Sequence, residues 1–161
     1  MAAGQVVVET PEAVPPAKKK VLVIDDDQRI VELIRHSVTK LGKYDVLVAY
    51  DGVQGLERFQ SERPDCVIVD VMMPRMDGFQ LVRAIRGDNE SAHTPLIILS
   101  ALSDEVDRET GCLSGVDEYM TKPFRPSVLC STLERVMQIT PEERERRIEE
   151  LAGMPDAVSE A

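Results

Sequence analysis

The chain has 161 residues, of which 43% are hydrophobic and 30% charged, and its formal net charge is −10. That length suffices for one domain with a single core and some tail, and the composition is that of an ordinary globular protein. The acidity argues against direct binding of DNA or RNA, which needs a basic stripe, and no apolar run approaches the ~20 residues that cross a bilayer.

Residues 1–17 (MAAGQVVVETPEAVPPA) are rich in Pro, Ala and Glu, lack a sustained period, and read as a disordered or weakly ordered lead-in. VLVI (21–24) is then a continuous apolar run of buried-strand type. Ile30, Ile34, Val38 and Leu41 recur at helical spacing up to Gly42, a helix stop. DVLVAY (45–50) predicts a second strand. Residues 52–63 carry Val53, Leu56 and Phe59 at three-residue steps, so a helix is expected there, closed by Pro64. CVIVD (66–70) predicts a third strand, and 78–86 a helix with Phe79, Val82 and Ile85 on one face. LIILS (96–100) predicts a fourth strand. Residues 104–114 form a weaker helical pattern, interrupted by Gly111, and VDEYM (116–120) is a short fifth strand. Val128, Leu129, Leu133, Val136 and Met137 mark a fifth helix.

Five strand–helix units with short connections predict a parallel sheet with helices on both faces, because each parallel crossover needs a helix. Continuous rather than alternating apolar runs fit strands covered on both sides. The expectation is one doubly wound α/β domain over residues 18–138. Residues 139–161 lie beyond it as an acidic extension. There Thr140-Pro141-Glu142-Glu143 has a helix-start pattern, with Thr as N-cap, Pro at the first position and acids in the first turn. A short exposed helix is expected. Cys66, Cys112 and Cys130 show no C-x-x-C spacing, so a disulfide framework or zinc site is not expected, and a reducing, cytoplasmic setting fits.

In an open parallel sheet, ligands bind outside the carboxyl ends of the strands. The first predicted strand ends in Asp25-Asp26, the third in Asp70 and the fourth in Ser100, and Lys122 follows the fifth. Three carboxylates, a hydroxyl and an ammonium therefore gather on one rim. Asp65 opens the third strand, roughly 17 Å from Asp70 at strand rise, and belongs to the opposite rim. Clustered carboxylates are unfavourable without a cation, and an all-oxygen set on an open rim favours Mg2+ over zinc. Asp27 is assigned instead to capping the helix that starts near Gln28.

The stretches "VLVIDDD", "DCVIVDVMMPRMDGFQL", "LIILSA" and "GVDEYMTKPF" resemble, in order and at similar spacing, the motifs of the CheY-like receiver domain of two-component response regulators. The resemblance covers about residues 19–137. It implies a flavodoxin-like (βα)5 fold with strand order 2-1-3-4-5. It also implies that Asp70 is the phosphoacceptor, and that Asp26, Asp70 and the backbone carbonyl of Met72 bind Mg2+ directly, with Asp25 acting through water. Lys122 would pair with Asp70 and then with a phosphoryl oxygen, Ser100 would hydrogen-bond the phosphoryl group, and Tyr119 would be the rotating aromatic of the switch. In the family the Lys122–Pro123 bond is usually cis. Met72 and Leu102 would flank the path of a hydrolysing water.

Such a protein takes its phosphoryl group from a sensor histidine kinase or a phosphotransfer protein and catalyses no downstream reaction. It signals through the face formed by the fourth predicted helix, the fifth strand and the fifth predicted helix, either to a partner protein or by phosphorylation-dependent homodimerisation. The residues after 138 are too few and too acidic for a DNA-binding domain, so a stand-alone receiver is expected, without membrane insertion. The alternative is a haloacid-dehalogenase-like Mg2+ phosphohydrolase. That family wants D-x-D-x-[TV], and Arg29 stands where Thr or Val is needed.

Overall fold

The five predicted strands all form in the computed structural model, which describes residues 17–101 and 115–153. In chain order the elements are β1 (Lys19–Ile24), α1 (Gln28–Thr39), β2 (Tyr44–Ala49), α2 (Gly52–Glu62), β3 (Cys66–Val69), α3 (Gly78–Arg86), β4 (Leu96–Ser100), β5 (Glu118–Thr121), α4 (Pro126–Met137) and α5 (Pro141–Ala152). The N-terminal lead-in up to residue 16, the helix expected at 104–114 with Gly111, Cys112 and Leu102 lie outside the described residues.

The strands form one parallel sheet in the order β2-β1-β3-β4-β5, as the resemblance implied. Successive side chains of a strand point to opposite faces, and the two faces carry separate cores. Val21, Val23, Ile68, Ile97 and Leu99 pack with α1 and α4 through Val31, Ile34, Val38, Leu129, Leu133 and Val136. Leu22, Ile24, Val67, Val69 and Ile98 pack with α2 and α3 through Phe59, Leu81, Val82 and Ile85. This two-sided burial explains why the strands read as unbroken apolar runs.

The buried faces of two helices differ from the expected ones. In α2 the buried residues are Gly52, Gly55 and Phe59, while Val53 is exposed. The reason is close approach: a Cβ on Gly55 would stand 2.6 Å from Ile24 Cδ1, so the helix packs through its glycines. In α4 the core residues are Leu129, Thr132, Leu133 and Val136, with Val128 exposed.

Helix starts are fixed locally. Asp27, Asp51 and Asp77 each cap the helix that follows, their carboxylates accepting from the backbone N–H of Arg29, Gln54 and Gln80. Asp77 and Gln80 complete a reciprocal capping box. Thr140 and Glu143 do the same at the start of α5, at 3.1 and 3.2 Å. That helix is not merely exposed, however: Arg144 is buried at 3% exposure and bonded to Asp117. Among the described residues, no helix is long and apolar enough to cross a membrane.

Candidate functional site

The carboxyl ends of β1, β3 and β4 bring the predicted rim residues together because the strands are parallel and in register. Ile24 lies opposite Val69 in the β1–β3 pair, so Asp25 and Asp70 emerge side by side. The Asp70 N–H donates to the Ile24 carbonyl at 2.9 Å and the Asp25 N–H to Ala49 at 3.2 Å. Ser100 pairs with Thr121 across β4 and β5, and the next N–H, of Lys122, donates to the Ser100 carbonyl at 2.7 Å. Sheet hydrogen bonding thus places these four residues on one rim. Asp65 is at the other end, its carboxylate accepting from the Lys20 N–H at 2.8 Å.

Asp25 and Asp70 are buried, while Asp26 is exposed beside them. One oxygen from each of the three falls within a sphere where all lie within 4.8 Å of one another. Lys122 Nζ reaches into the group. It stands 2.7 Å from Asp25 Oδ2 and 3.7 Å from Asp70 Oδ2, so its closer partner is Asp25. The other Asp25 oxygen accepts from the Asp27 N–H at 2.9 Å.

The electrostatics are those of crowded acids. Burial, followed by the neighbouring Asp25 charge, pushes the Asp70 carboxyl up to about 6, against the pull of Lys122 and the Met72 N–H. Burial also raises Asp25, although Lys122 and the Asp27 N–H oppose the shift. Asp27 behaves in the opposite way: the Arg29 N–H it caps holds it below the ordinary range. That contrast separates the capping aspartate from the site aspartates.

The loop after Asp70 is shaped by Gly78. A Cβ there would collide with the Asp70 backbone carbonyl and would lie 2.9 Å from Val71 Cα. Its N–H donates to the Val71 carbonyl at 2.9 Å, which folds the 70–78 loop against the start of α3. This close approach to Asp70 was not legible in the sequence. Met72, two residues after Asp70, is 62% exposed. Tyr119 and Ser100 are buried on β5 and β4, and the Lys122–Pro123 bond is cis, as the resemblance implied.

A family model described as the response regulator receiver domain matches residues 21–134. The chain belongs to this family. The receiver is 35% identical over 120 residues to the alkaline phosphatase synthesis transcriptional regulatory protein PhoP of Bacillus subtilis, a match covering 74% of this chain and 49% of PhoP. It is 36% identical over 121 residues to the response regulator MprA of Mycobacterium tuberculosis, covering 75% of this chain and 51% of MprA. The chain thus spans about half the length of these curated relatives. Among solved structures, the chemotaxis protein CheY4 of Vibrio cholerae superposes with a TM-score of 0.70 at 36% identity, covering 74% of the receiver and 99% of CheY4. The family match leaves the haloacid-dehalogenase-like alternative without support.

Proposed function

We propose that this receiver is a phosphorylation switch in which Asp70 accepts a phosphoryl group and the fold, not a catalysed reaction, carries the output. The observation that carries this reading is the placement of one ammonium, Lys122 Nζ, against two buried carboxylates at the carboxyl ends of parallel strands. An ordinary structural ion pair would leave no second buried carboxylate at 3.7 Å with its pKa raised to about 6.

Mg2+ fits the residues present: three converging oxygen donors, two of them buried and mutually repelling, with no Cys or His in the group among the described residues. Asp26, Asp70 and the Met72 carbonyl would hold it, with Asp25 reaching it through water, and when bound it would neutralise charge on the phosphoryl oxygens. The rest follows from the chain's own side chains. An Asp70 oxygen attacks the phosphorus of a phosphohistidine; the P–N bond breaks, the P–O bond of an acyl phosphate forms, and the imidazole leaves with its electron pair. Phosphoryl transfer depends mainly on in-line positioning and charge neutralisation, and Lys122 supplies a fixed positive charge without giving up its proton. Ser100 would then hydrogen-bond the new oxygens, and Tyr119 would repack against β4 as Ser100 moves. The donor would be a sensor histidine kinase or phosphotransfer protein, and the altered surface around β5 and α4 would be read by a partner protein or a second receiver.

Incubation with acetyl phosphate and Mg2+ should add one phosphoryl group, seen by intact mass. Asp70→Asn should abolish it. Label retained in that variant, or mapped to Asp65, would overturn the assignment.

A further inference from the structure

At the rim opposite the acidic cluster, a second charged group has no part in the proposed chemistry. Asp117, just ahead of β5, has a side chain only 3% exposed. Its Oδ2 accepts from the Leu96 N–H at 2.8 Å and lies 3.3 Å from Arg86 Nη2, while its Oδ1 accepts from Arg144 Nε at 2.7 Å. Arg86 comes from α3 and Arg144 from α5, so one carboxylate joins two helices to the start of β4 and of β5.

Arg144 does not behave like its neighbours on α5. Glu142, Glu143, Glu145, Arg146 and Arg147 are exposed, whereas the Arg144 side chain is 4% exposed. Its Nη1 donates to the His93 carbonyl at 2.6 Å, and His93 Nε2 lies 3.4 Å from Glu145 one residue further along the helix. Its Nη2 is buried with no hydrogen-bond partner. An arginine pulled off a charged helix and desolvated to this degree, with one donor left unmet, is held by its carboxylate rather than by local preference. The contact is therefore a defined joint between α5 and the receiver.

That joint sits at the entrance to β5, the strand that carries Tyr119. Asp117 lies immediately ahead of β5 and two residues before Tyr119. Arg86 also ties down the backbone that leads into both strands, its Nε donating to the Gly115 carbonyl ahead of β5 at 3.0 Å and its Nη1 to the Thr94 carbonyl ahead of β4 at 2.6 Å. The Asp117 carboxylate thus takes three donors, from β4, α3 and α5.

We propose that α5 is a latched output element: Arg144 plugged onto Asp117 holds the helix against the receiver, and rearrangement of β5 after phosphoryl transfer withdraws it. The coupling rests on the acceptor reading of Asp70; the latch itself does not. Coupling is reciprocal, so whatever holds the helix down also opposes the switched state.

Hydrogen exchange of the whole chain, read by mass spectrometry over residues 141–152, tests both parts. Arg144→Gln should speed exchange there by about tenfold or more, as expected for loss of local structure. Arg144→Lys should give an intermediate rate, because one ammonium cannot reproduce the guanidinium's contacts with both Asp117 and His93. In the wild-type chain, acetyl phosphate with Mg2+ should speed exchange of the same segment several-fold, with no effect in Asp70→Asn. At limiting acetyl phosphate, Arg144→Gln should also raise the phosphorylated fraction. Equal exchange in wild type and Arg144→Gln would overturn the latch. A chain shown by mass to be phosphorylated, with unchanged exchange over 141–152, would overturn the coupling alone. A chain that takes no phosphoryl group would overturn the acceptor reading and the coupling together, with the Arg144 comparison still deciding the latch.

Discussion

Lys122 is bound more closely to Asp25 than to Asp70, at 2.7 Å against 3.7 Å. The ammonium therefore rests on Asp25, with Asp70 within short reach. With Asp70 as the proposed acceptor, this arrangement would let Lys122 stabilise a charge arriving next to it without neutralising the nucleophile beforehand.

Lys122→Met should slow transfer from acetyl phosphate about 100-fold, the scale for removing one preorganised charge partner of a developing anion. The time course of mass increase measures it. An unchanged rate would show that the ammonium only serves Asp25.

Asp70 titrates upward, and this has a consequence for stability. Its folded pKa of about 6 exceeds the ordinary 3.8, so between those values the folded chain holds a proton that the unfolded chain has released. Stability from this group thus falls as pH rises from about 4 to 6, and the penalty is complete at pH 7. The shift corresponds to at most about 3 kcal/mol. Asp70→Asn should accordingly be ~1–3 kcal/mol more stable than wild type at pH 7 in EDTA, with the gain vanishing near pH 4. Urea unfolding at the two pH values checks this; a destabilised variant at pH 7 would refute the repulsion.

Magnesium binding should separate two adjacent aspartates. Asp26 belongs to the converging set, whereas Asp27 is occupied with the Arg29 N–H at the start of α1. Asp26→Ala should weaken Mg2+ binding at least about tenfold, since a direct oxygen ligand is lost. Asp27→Ala should cost about 1 kcal/mol of stability through the lost cap and leave metal affinity nearly intact. Equal losses in calorimetric titrations would mean that the acidic pair is shifted by one residue.

The exposed Met72 side chain follows Asp70 by two residues. A thioether cannot orient a water for attack on phosphorus, so phospho-Asp70 should be long-lived and depend on a partner for removal. Replacing Met72 with Asn and Leu102 with Glu should speed spontaneous loss several-fold. A decay rate unchanged in the double variant would count against shielding.

The order of strands and helices, the two-sided burial of the sheet and the acidic rim were legible in the sequence because each depends on local spacing. Unbroken apolar runs such as LIILS mark strands covered on both faces, and in a parallel sheet whatever follows each run shares one edge. Asp27 could be assigned to its cap from position alone. Other features depended on which surfaces meet. The Val53 face of α2 looked buried by periodicity, yet the helix turns Gly52 and Gly55 inward because glycine permits an approach to Ile24 that a side chain would block. The flexible stem of Lys122 can reach either carboxylate, and only the register of β1, β3 and β4 decides that Asp25 is nearer. Arg144 looked like one charge among many on an exposed helix. Its burial depends on Asp117, 27 residues away in sequence, and a contact of that separation leaves no periodic trace: it exists only once β5 and α5 have been brought to the same end of the sheet.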